Sequence, residues 1–121
     1  TLGPAAGGEV LIDGSVFNVA AAALVSGEAG YVLHLYSATP PSAYADGVTW
    51  DRPTGDAALW LGQVALGTPV DLGATLAIEN DTLAKQITVP AGGIVYYYLV
   101  TVGAMTPAAV ARSGWLKAIR L

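Results

Sequence analysis

At 121 residues without cysteine, the sequence has the length of one domain and holds neither a disulfide nor a thiolate metal site. Nine acidic and five basic residues give a net charge of −4, and five scattered cations do not build the basic patch that nucleic-acid binding requires. Charged residues make up 12% and hydrophobic ones 54%, against roughly 25% charged in typical soluble domains.

A surface so short of charge implies that part of it is covered in an assembly. The alternative is the high alanine content, which raises an apolar count without making a sticky surface. The longest apolar runs, Val19–Val25 and Ile94–Val102, fall far short of the roughly 20 residues of a spanning helix. The opening TLGPAAGGE has no basic stretch leading into an apolar one, so no signal peptide is expected.

In chain order, the first expected strand is Val10–Asp13. Asp13-Gly14 reads as a tight hairpin turn, because Gly accepts the positive φ such a turn needs. Val16–Val25 is then the returning strand, with an ambiguous alanine run at 20–23. Tyr31–Ser37 is apolar on both faces. Leu59–Leu66 follows, then Ala74–Glu79, a turn at Asn80-Asp81, and Ala84–Val89. Leu76 and Ile78 share one face against Glu79, and Ile87 and Val89 share one against Gln86 and Thr88. This is the period-two pattern of a half-buried strand.

Ile94–Val102 is rich in β-branched and aromatic residues, apolar on both faces, and reads as the central strand. Thr106–Ser113 has room for one helical turn after Pro107, and Trp115–Leu121 is the last strand. The expectation is an all-β fold, a compact β-sandwich or jelly roll of about eight short antiparallel strands. It forms a single domain over residues 1–121, in which residues 1–30 are strands or an arm.

Candidate chemistry is sparse. His34 is the only histidine, and Ser37, Ser42, Asp46 and Asp51 around it form no known triad pattern. Asp46, Asp51 and Asp56 are spaced by five, wider than the alternate positions of a calcium loop; beside Gly and Pro they read as turn caps. Gly7-Gly8 and Gly92-Gly93 match no phosphate loop. The expectation is therefore no enzyme, no catalytic or metal residue and no cofactor. The six tyrosines and three tryptophans offer a sugar platform or, more simply, core filling and interface anchors.

The stretch from Leu33 to Tyr36, then Ser37–Ser42, Ala45-Asp46, Trp50-Asp51 and Leu59–Gly62, resembles a group of small structural proteins of tailed bacteriophages. Tyr96–Thr101 and Leu116–Leu121 stand where that group has its last two strands, and the resemblance runs from Tyr31 to Leu121. It implies a non-enzymatic virion protein with a jelly-roll-like fold. Such a protein decorates the outer surface of the capsid as a dimer or trimer and bridges major capsid proteins. Tyr44, Trp50, Tyr97 and Trp115 are then the candidate interface residues. A tail or fibre component and a carbohydrate-binding module are the alternatives.

Overall fold

In the computed structural model, which describes residues 8–25, 28–39, 52–102 and 110–121, β1 (Glu9–Val19) runs eleven residues without a turn. The hairpin expected at Asp13-Gly14 does not form. Instead Ile12 faces Ala118 and Gly14 faces Lys117, so Asp13 is an extra residue in a bulge. A bulge shifts the side-chain alternation by one. Val10 and Ile12 point inward before it, and Ser15, Phe17 and Val19 after it. One strand therefore serves the core along its whole length, and the alanine run beyond Val19 is neither strand nor helix.

The other strands are β2 (Tyr31–Tyr36), β3 (Trp60–Gly67), β4 (Val70–Asp71), β5 (Leu76–Asn80), β6 (Lys85–Thr88), β7 (Tyr96–Thr101) and β8 (Arg112–Arg120), with short 3-10 turns at Thr54–Leu59 and Ala91–Gly93. All pairings are antiparallel. β1 is the hub of the first sheet. Along one side it pairs first with β6, over Glu9–Ile12, and then with β5, over Ser15–Val19. The switch falls at the bulge, where Asn80 closes the turn by accepting the Thr82 N–H on Oδ1 at 3.0 Å. β4 extends that side, and β8 lies along the other. The second sheet runs β3-β2-β7.

The two sheets face each other as an all-β sandwich. Val10, Ile12, Phe17, Val19, Leu76, Ile78 and Ile87 of the first meet Tyr31, Leu35, Val64 and Leu66 of the second. Each such side chain contributes about 1.5–3 kcal/mol on burial. The alternation read in β5 and β6 holds: Leu76, Ile78, Ile87 and Val89 are buried, and Glu79, Gln86 and Thr88 are exposed.

β7 departs from its reading. It stands at the end of its sheet, not at the centre. Nor is it covered on both faces, since Tyr96, Tyr97 and Leu99 are all exposed. The central strand of that sheet is β2, paired along both edges, and it is buried on both faces, with Leu35 on the inner side and His34 and Tyr36 on the outer. The helical turn expected over Thr106–Ser113 falls largely outside the described residues, and from Arg112 onward the chain is already β8.

Candidate interface groove

The sandwich is closed along one flank, where β3 lies against β5. On the other flank β7 and β8 stand apart. The register with β2 sets Tyr97 beside Leu35 and Leu99 beside Leu33, so both point to the inner side of their sheet. There they overhang sheet one instead of packing on it, and Tyr97 keeps 65% of its surface exposed. β8 forms the opposite wall, with Gly114 facing Phe17 and Leu116 facing Ser15 across the ladder. Between the walls lies an apolar groove of about 350 Å³, floored by Ile12, Phe17, Leu33, Leu35 and Leu66.

Gly114 makes this wall possible. A Cβ there would run into the Val16 carbonyl oxygen and come within 3.1 Å of Phe17 Cα. Trp115, the next residue, borders the groove. It faces Val16 across the ladder, and alternation turns its side chain to the outer side of the sheet, where it is 59% exposed. Ile119 and Leu121 continue the exposed apolar surface. β8 also carries Arg112, Lys117 and Arg120, three of the five cations in the chain. Lys117 crosses the open space above Gly14 and pairs with Asp81 at 2.8 Å.

One end of the groove is held by a polar network. The Tyr31 hydroxyl donates to buried Glu28, whose other carboxylate oxygen accepts the Val25 N–H at 3.0 Å. Burial raises the Tyr31 pKa above its usual value, and the Glu28 carboxylate adds to this; Arg112, also hydrogen-bonded to Tyr31, opposes it. Phe17 packs on the Tyr31 ring, with centroids 4.8 Å apart.

His34 lies elsewhere, on the outer side of β2. Its Nδ1 accepts from Trp60 Nε1 at 3.2 Å, and the Arg52 guanidinium stands 4.5 Å over the Trp60 ring. The Ser37 hydroxyl donates to the Leu59 carbonyl at 3.3 Å. Asp56, read as a turn cap, sits in the 3-10 turn before β3 and is fully buried. Among the described residues no three His, Asp or Glu side chains gather as a metal site.

Of the four candidate interface residues, Tyr97 and Trp115 both border the groove, Trp115 with its side chain on the outer side of β8, while Tyr44 and Trp50 lie outside the described residues. Arg112, Gly114 and Leu116 escaped the sequence reading, although three cations within nine residues was a countable signal. Fold and groove define the class: an all-β sandwich with one apolar flank left open by the described residues. Comparison with family models, curated proteins and solved structures finds no match for this chain.

Proposed function

We propose that the chain is a non-enzymatic structural protein of a tailed-bacteriophage virion, which decorates the capsid and stabilises it by bridging major capsid proteins. The observation that carries this reading is the open flank. Tyr97 overhangs the apolar groove and Trp115 stands beside it on the outer side of β8, and they remain 65% and 59% exposed. Large aromatics in such a position are the residue types that anchor protein interfaces. The low charge of the chain supports the same reading.

The mechanism needs no chemistry. A protein that binds only the assembled shell stabilises it by mass action. Many copies on a symmetric shell add their contacts through multivalency. The test is to image virions carrying a tagged copy of the chain. Label over the head, lost with Trp115→Ala or Tyr97→Ala while the domain stays folded, supports the reading. Label on the tail makes the chain a tail component, and unlabelled particles remove it from the virion.

A further inference from the structure

We infer that the outer edge of β8 is a docking site for an extended, acid-ended segment of a partner protein, which adds to the sheet as a strand and fills the groove. This deepens the interface reading proposed above and rests on it for the biological source of the segment.

The edge itself is oriented for addition. The Leu121 N–H bonds the Glu9 carbonyl at 3.1 Å, and the Ala111 carbonyl accepts the Ala20 N–H at 2.9 Å. Odd-numbered residues of β8 thus direct their backbone groups to β1. Successive residues of a strand alternate, so Arg112, Gly114, Leu116, Ala118 and Arg120 direct theirs outward. No described strand pairs with that side. The same residues lie opposite Val19, Phe17, Ser15, Ile12 and Val10 of β1, on the core-facing side of the sheet.

An added strand therefore places alternate side chains on the groove side, opposite these five residues. Opposite Gly114 and Leu116 the surroundings are apolar, and Ala118, itself apolar, lies across from Ile12. Opposite Arg112 and Arg120 the complement is a carboxylate. The recognised pattern is acidic, any, apolar, any, apolar, any, apolar, any, acidic. It has the same form in either direction along the chain. Main-chain hydrogen bonds supply affinity, and the alternate side chains supply selectivity.

Charge also decides against a second copy at this edge. Two β8 strands in full antiparallel overlap, centred on Leu116, set Arg112 of each copy against Arg120 of the other. Like charges directly opposite destabilise a strand pair. A partner strand with acids at both ends meets the same two cations favourably.

The test selects nine-residue peptides from a random yeast-displayed library on the immobilised folded protein. The expected result is enrichment of acids at the first and ninth positions with β-branched residues between them at alternate positions. Ala118→Pro removes one outward N–H and no ladder bond, a substitution that edge strands accept. It should lower the affinity of the selected peptides by at least about tenfold. Arg120→Glu should do the same, and peptides whose facing acid is replaced by Lys should recover binding to it. Should Ala118→Pro fail to fold, Arg120→Glu decides alone. An unpatterned library, or equal binding to wild type and Arg120→Glu, overturns the inference. So does a wild-type dimer in sedimentation that Ala118→Pro converts to monomer, because a second copy then holds the edge. Selected peptides without label on virions keep the edge and remove the capsid reading; labelled heads with unpatterned peptides do the reverse.

Discussion

Trp60 Nε1 donates to His34 Nδ1 at 3.2 Å across 26 residues of chain. The bond holds only while Nδ1 carries no proton. The two rings are stacked with centroids 6.1 Å apart, and the imidazole is nearly buried. Burial lowers the His34 pKa below 6.5, and the nearby Arg52 charge lowers it further. Above pH 6.5 the folded and unfolded chains both hold a neutral imidazole, and the stabilising contact is fully present. As pH falls below 6.5 the unfolded chain takes up a proton first, so stability declines until the lower folded pKa is passed. Urea midpoints measured from pH 8 to pH 5 should fall through this window, and His34→Gln should flatten the decline. An unchanged slope in that variant would assign the pH dependence to other groups.

The Glu28–Tyr31 bond gives a second prediction. Tyr31→Phe keeps the ring against Phe17 and removes the hydroxyl that donates to Glu28. A buried carboxylate that loses a donor costs about 1–3 kcal/mol, which equilibrium unfolding would read. The raised Tyr31 pKa adds an alkaline arm. The contribution is complete below pH 10 and declines above it, as the unfolded tyrosine ionises before the folded one. Tyr31→Phe should remove that decline.

Gly114→Ala tests the wall of the groove. The new Cβ meets backbone atoms of Val16 and Phe17, neither the movable end of a side chain. Overpacking of this kind costs about 1–3 kcal/mol. The loss should concentrate in β8, where amide exchange accelerates more than in β2. Uniform acceleration over both sheets would mean that β8 does not open on its own.

Ser15 offers the opposite sign. It is 1% exposed on the inner side of β1, and its Oγ has no hydrogen-bond partner. Ser15→Ala removes a buried hydroxyl without enlarging the side chain. The expected result is a gain of up to about 1–2 kcal/mol in unfolding free energy. A loss would show that the hydroxyl is satisfied in solution.

Much of the fold is legible in residue order because alternation is a local signal. Leu76, Ile78, Ile87 and Val89 identify the buried sides of β5 and β6 by themselves. The Asp13-Gly14 reading fails for a non-local reason. A bulge and a hairpin turn use the same residue types, and what selects the bulge is the continuous ladder from Val10 to Val19 against β8. β7 misleads similarly: its apolar sides suggest a centre, but position in a sheet depends on which strands pair. For the candidate interface, aromatic character alone picks out Tyr97 and Trp115. The groove between them is invisible in sequence, because it is a gap between two strands that do not pair.

The ladder between β1 and β8 carries one more consequence. Val16 lies opposite Trp115, about a hundred residues further along the chain. While the chain is being made, the central strand of the first sheet waits with one side open through most of synthesis. Loop closure over such a distance makes folding slow. Until β8 is made, that side of β1 is an unpaired strand edge, the kind of surface on which wrong pairing starts.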